Sequence, residues 1–301
     1  MKKQSLFDFA SFVITKPITV IIFFLYSVQW IVLAAYEVRK LTDITEHYLL
    51  EDTPIEILTL AFLLVVIYGV AGSRVGIFRL NMMFIPFVLI VSLVILIFNI
   101  PLIEVDNLVP VFKTELKDLG QGLLIMTGIF IAGGAGVSLF YTSLVESDQS
   151  LPKMAILGTM IPVILFFLFY FVSIGVFGND VTKNLLYASI ELGKTVNVPG
   201  GVFERFESIF FIIWMMAVFN LTTMIVDLAV MTLQSIFKNT KKIHLLFILS
   251  PIIFLISMVP QNIVESAEMG KWVTYSLFFY PLILTFILYT VSKIRGVKAG
   301  G

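Results

Sequence analysis

Long runs of apolar residues separated by short polar connections fill the chain, without the two-residue alternation of a half-wet strand. A membrane-crossing helix needs roughly 20 apolar residues, because the hydrocarbon layer is about 30 Å thick and each helical residue rises about 1.5 Å. Eight stretches qualify, at residues 15–37, 55–72, 82–98, 119–143, 154–178, 203–237, 243–260 and 272–291. Continuous runs of this kind predict helices rather than a lipid-facing barrel, whose strands alternate. Pro86, Pro162, Pro251 and Pro281 fall inside the runs, where neighbouring helices satisfy the freed carbonyls. The first run follows Lys2, Lys3 and Lys16, is too long for a signal-peptide core and lacks a small-residue cleavage site.

Eight spans put both termini on one side. Twelve basic residues fall in one set of connections: Lys2, Lys3, Lys16, Arg74, Arg79, Lys153, Lys238, Lys241, Lys242, Lys293, Arg295 and Lys298. Eight fall in the other: Arg39, Lys40, Lys113, Lys117, Lys183, Lys194, Arg205 and Lys271. The richer side is expected to be cytoplasmic, and with it both termini. The longest external connections are 99–118 and 179–201; the latter mixes Leu185, Leu186, Ala188, Ile190 and Leu192 with polar residues and reads as a short surface helix. No linker or low-complexity tract interrupts the series, so residues 1–301 are expected to form a single transmembrane permease-like domain.

Composition agrees: 59% of the 301 residues are hydrophobic and 13% charged, against about 25% charged in soluble domains. Zero formal net charge gives no argument for nucleic-acid binding, and the absence of cysteine removes thiolate chemistry. His47 and His244 lie far apart in or beside connections, so no metal site is expected. No cofactor is implied. There is no phosphate loop, nucleophile elbow or paired carboxylate, and an isolated Asp227 supplies no acid-base pair, so an enzyme is not expected.

Three places hold candidate chemistry. The fourth run carries Gly120, Gly122, Gly128, Gly133, Gly134 and Gly136. Around Ala132, Gly133, Gly134 and Gly136 the helix is weak enough to unwind at mid-membrane and offer free N–H and C=O groups to a solute. Close helix packing through small residues is the equal alternative. In the sixth run, too long for one span, Asn220, Thr223 and Asp227 share a helix face. An ionisable residue inside a span is a candidate ion or proton site by default, though Asp227 near the inner interface would simply reach water or Lys238. Thr222 and Thr223 have the alternative of bonding the preceding turn. In the first run Tyr26, Gln29 and Trp30 lie near mid-depth, and Gln29 must face the bundle, toward a ligand or another helix.

The segments 49–87, 99–112 and 203–219, in that order and spacing, resemble the spore germination permease family, the B subunits of the nutrient germinant receptors of bacterial endospores. The most specific fragments are Glu204, Arg205 and Glu207 before the long helix and the stretch from Asn107 to Pro110. That family resembles amino-acid permeases of the amino acid, polyamine and organocation superfamily, with ten helices in two inverted repeats, a LeuT-like fold. The resemblance implies an all-α membrane protein whose eight transmembrane helices correspond to helices three to ten. Residues 1–15 then match the connection after the second helix, which implies a shortened gene product or a misassigned start. By position, residues 132–136 become a broken helix and the span with Asn220 to Asp227 flanks the pocket.

The expected function is a germinant receptor subunit that senses a small nutrient, an amino acid by analogy, in the spore inner membrane or cell membrane, with A and C subunits as partners. The alternative is a secondary amino-acid transporter coupled to a cation or proton.

Overall fold

The computed structural model describes residues 5–109, 115–130, 140–141, 151–196 and 206–296, and among these every regular element is helical. The longer ones, in chain order, are α1 (Leu6–Val13), α2 (Lys16–Tyr48), α3 (Ile55–Ala71), α4 (Arg74–Asn99), α5 (Leu116–Phe130), α6 (Leu151–Phe177), α7 (Ala188–Lys194), α8 (Phe206–Ile236), α9 (Lys242–Ser257) and α10 (Ile263–Ile294), with single turns at Ile100–Leu102, Val105–Leu108 and Asn179–Thr182. Among the described residues five segments are long and apolar enough to cross a membrane: Lys16–Tyr48, Arg74–Leu102, Lys153–Phe177, Ser208–Ile236 and Ile263–Ile294. Helices α3 and α9 are equally apolar but shorter. The protein is therefore an all-helical protein of membrane type.

Several helices overrun the hydropathy boundaries. Helix α2 continues past Glu37 to Tyr48, α4 begins at Arg74 and α10 at Ile263. The turns added to α2 carry paired charges, Lys40 with Glu37 at 2.6 Å and Arg39 with Asp43 at 2.7 Å. A hydropathy reading stops at the first charge, whereas a helix stops only where its backbone loses partners. For α10 the start is set by Asn262, whose Oδ1 accepts from the N–H groups of Val264 and Glu265, while Glu265 accepts from the Gln261 N–H at 2.8 Å.

The chain forms two compact units. The first comprises residues 1–77, 120–151 and 220–301. Helix α2 is its centre and packs against α1, α3, α9 and α10. Its buried face runs through Phe23, Tyr26, Trp30, Ala34, Val38, Leu41 and Ile44, the three-and-four spacing of a helix stripe. Phe140 stacks edge-on against Phe23, Tyr26 and Trp30, and Tyr280 of α10 meets Tyr26 at 5.7 Å. On the outside Tyr68, Phe247 and Phe286 are exposed, the arrangement expected where the solvent is hydrocarbon.

The second unit comprises residues 78–119 and 152–219. Asn99, fully buried at the end of α4, donates to the carbonyls of Ile95 and Leu192 and accepts from the Thr195 hydroxyl at 2.6 Å. The short helix read from residues 179–201 is present as α7, but it is not a surface helix: Ile190 and Leu192 are buried. Asn107 donates to the Gly175 carbonyl, which also accepts from the Glu104 N–H, so the stretch beginning at Asn107 closes on the end of α6.

A β-carbon at Gly270 would stand 2.5 Å from the Tyr36 hydroxyl oxygen and 2.6 Å from its ring, so α10 reaches α2 only because no side chain intervenes. Gly270→Val is expected to cost about 1–3 kcal/mol through overpacking, read as a lowered midpoint of thermal unfolding in detergent. Gly122→Ala, with nothing within 4 Å of the added carbon, should leave the midpoint unchanged or raise it.

Candidate functional site

Helix α8 presents Asn220, Thr223 and Asp227 to the interior of the first unit, all buried and Asp227 fully so. Taking a carboxylate out of water costs several kcal/mol unless partners replace its hydration. They do. Arg74 at the start of α4 donates through Nε to Oδ2 at 2.8 Å and Oδ1 at 3.2 Å, and Lys242 at the start of α9 lies 3.1 Å from Oδ1. The Tyr141 hydroxyl completes the shell, 3.2 Å from Oδ2. Arg74 continues to Gln234 Oε1, and Lys242 to the Gly72 carbonyl. Lys238 pairs with Asp8 at 3.7 Å instead. Asp227 thus ties the turn between α3 and α4 to α8 and α9, with two cations on one carboxylate. Sequence reasoning found the acid but missed both cations, because Arg74 and Lys242 lie in connections and were counted for topology alone.

The other named residues fare differently. Thr223 spends its hydroxyl on the Asn220 carbonyl at 2.8 Å, the back-bonding alternative. Gln29 donates to Ser276 at 3.4 Å across to α10. Its Oε1, the Tyr26 hydroxyl, the Trp30 indole nitrogen and Asn220 Oδ1 are buried without a partner. Gln29 also lines a groove of about 460 Å³ with Trp272, Ser276 and Tyr280, and Trp272 is exposed. Ala132, Gly133, Gly134 and Gly136 lie outside the described residues. Of the same glycine-rich run, Gly120 and Gly122 sit on α5 with open space beside them.

A second polar site escaped the sequence reading altogether. Arg39 and Asp43, one helical turn apart on α2, form a buried ion pair, and Arg39 also donates to the Ser257 carbonyl at the end of α9. The i, i+4 spacing was the available signal. They stand at the base of a cavity of about 580 Å³ lined further by Glu46, His47, Glu51 and the α9–α10 turn. Among the described residues no group of His, Asp or Glu is arranged to hold a metal ion.

Buried charges compensated inside long apolar helices define a polytopic membrane protein. The family model described as spore germination protein matches residues 1–266, and the chain belongs to that family. Spore germination protein GerLB of Bacillus cereus is 35% identical over 98% of this chain and 79% of its own length. Spore germination protein A2 of Bacillus subtilis (strain 168) is 26% identical over 94% of this chain and 78% of its own length, and YndE of the same organism 23% over 97% and 80%. No solved structure matches the chain.

Removing the charge of Asp227 leaves two cations facing each other. Because Arg74 and Lys242 are each more than a fifth exposed, water offsets part of the loss, and Asp227→Asn is expected to cost about 2 kcal/mol rather than the larger penalty of a fully buried pair. Lys238→Ala, which breaks only an exposed pair, should cost under about 1 kcal/mol. Thermal unfolding of both variants in detergent measures the contrast.

Proposed function

We propose that this chain is the permease-like subunit of a nutrient germinant receptor, sensing a small nutrient, an amino acid by analogy, in the spore inner membrane alongside A and C subunits. The single observation that carries the reading beyond family membership is the set of unpartnered polar atoms in the apolar interior. Tyr26, Gln29 and Asn220 keep hydrogen-bonding capacity that the fold does not consume, and an unmet buried polar group costs about 1–3 kcal/mol. A ligand that supplies the missing partners recovers that cost on binding.

In this reading the chain crosses the bilayer eight times with both termini cytoplasmic, as helices three to ten of a LeuT-like fold. The nutrient carboxylate meets backbone N–H groups at Gly133 and Gly134, the kind of donor that a broken helix offers an anion. Asn220 and Gln29 serve the ligand's remaining polar groups, and Asp227 holds the helices around it. Binding shifts the receptor only through a difference in affinity between two states.

Gly133→Leu is expected to abolish nutrient-triggered germination of spores carrying the variant while immunoblots of inner membrane fractions still detect the protein. Normal germination would sink the site. Membrane vesicles carrying this chain alone are expected not to concentrate radiolabelled amino acid; accumulation would favour the transporter instead.

A further inference from the structure

The end of the first unit where α2 begins and α8 stops has no part in that reading. Lys16 is the first residue of α2, and α8 ends at Ile236, two residues before Lys238. A groove of about 400 Å³ at this end combines the apolar Phe7, Val20, Ile236 and Phe237 with these two lysines in its lining. Both lysines are exposed. Among the described residues no carboxylate pairs with Lys16. Lys238 has Asp8 alone, at 3.7 Å with both side chains more than half exposed, a pair that water and salt loosen. The surrounding charge is one-sided. Lys241 and Lys242 follow in the same turn, and Arg295 reaches α1, its Nη1 donating to the Phe12 carbonyl at 3.4 Å. Against these cations the acids described at this end are Asp8 and the fully buried Asp227.

Cations and hydrocarbon in one groove call for an occupant that carries both an anionic group and an apolar chain. A small anion such as phosphate satisfies the lysines and leaves Val20 and the Phe237 ring, 52% exposed, without a partner. A neutral lipid does the reverse. The level in the fold points the same way. Lys16 stands directly before the apolar run of α2, where Ile18 and Ile21 are exposed, and Lys238 directly after that of α8, the position at which lysines meet lipid headgroups. We infer that this groove binds one anionic phospholipid of the surrounding bilayer, its phosphate held by the Lys16 and Lys238 ammonium groups and an acyl chain lying along Val20 and Phe237. The site is separate from the glycine-rich segment and stands whether or not that segment binds the nutrient.

Native mass spectrometry of the full chain in detergent, titrated with palmitoyl-oleoyl phosphatidylglycerol or with the matching phosphatidylcholine, tests it. Retention of phosphatidylglycerol in preference to phosphatidylcholine is expected. Lys16→Gln and Lys238→Gln should each weaken that retention about fivefold, as loss of one lysine beside an anionic headgroup requires, and the double variant by more than about tenfold. Both side chains are exposed, so neither variant disturbs the packed interior. Lys271→Gln, an exposed cation in the opposite half of α10 from Arg295, should retain the lipid as the unaltered chain does. Equal retention of the two lipids, undiminished retention in the double variant, an equal loss in Lys271→Gln, or displacement of phosphatidylglycerol by equimolar inorganic phosphate would overturn the assignment. The readout is lipid bound to the purified chain, so it is independent of any germination phenotype at Gly133.

Discussion

Hydrocarbon cannot hydrogen-bond a peptide group, and the architecture follows from that constraint. Among the described residues every long apolar segment closes its own backbone as a helix. Even the side-chain hydroxyls turn inward on their own helices: Thr19 donates to the Thr15 carbonyl, Thr45 to Leu41, Ser173 to Phe169 and Thr232 to Leu228, each at 2.7–2.8 Å. Hydroxyls satisfied in this way are compatible with an apolar setting, which is why a helix such as α2 can bury Thr19, Ser27, Thr42 and Thr45 without a polar partner helix for each. Thr42 adds one link of its own, since the Thr59 hydroxyl of α3 donates to it at 3.3 Å.

Charges obey the same constraint at a larger scale. In the first unit they gather into two buried clusters, one at each end of α9. Lys242, its first residue, joins Asp227 and Arg74, and the carbonyl of Ser257, its last, receives Arg39. A helix of 16 residues is about 24 Å long, a little less than the hydrocarbon thickness of about 30 Å. Helix α9 is held at both ends, by an ion pair at Lys242 and by the Arg39 hydrogen bond to the Ser257 carbonyl, whereas α2, α8 and α10 run on for 31 to 33 residues.

What the amino-acid order disclosed follows from which physics it records locally. Apolar runs record the solvent, so the helical character and approximate place of the segments were legible, while of the eight runs read as spans five appear among the described residues as helices long enough to cross a membrane and two as shorter apolar helices. The proline positions also held, with Pro86, Pro162, Pro251 and Pro281 inside helices. Asp227 stood out because a carboxylate within an apolar run has no cheap explanation. Its partners did not, since Arg74 and Lys242 are 153 and 15 residues away along the chain and a connection gives no sign of folding back. The Arg39–Asp43 pair was hidden for the opposite reason: charges directly after an apolar run read as the water-facing end of a span, when here the helix continues and the pair is buried. The burial of Ile190 and Leu192 was missed because a short amphipathic stretch looks the same on a membrane surface as in a packed loop.

The two clusters differ in how completely they are closed. Both oxygens of Asp227 are occupied, by Arg74, Lys242 and Tyr141, and removing any one contact leaves the others in place. Such a cluster resists rearrangement, because each partner would have to be rehydrated before it could move. Asp43 has one oxygen held by Arg39 and one buried without a hydrogen-bond partner. Opening or closing around it changes the solvation of a single oxygen, a smaller step than dismantling a four-member cluster. The end of α9 held at Asp227 is therefore the costlier of the two to rearrange, because three partners and not one would have to be rehydrated.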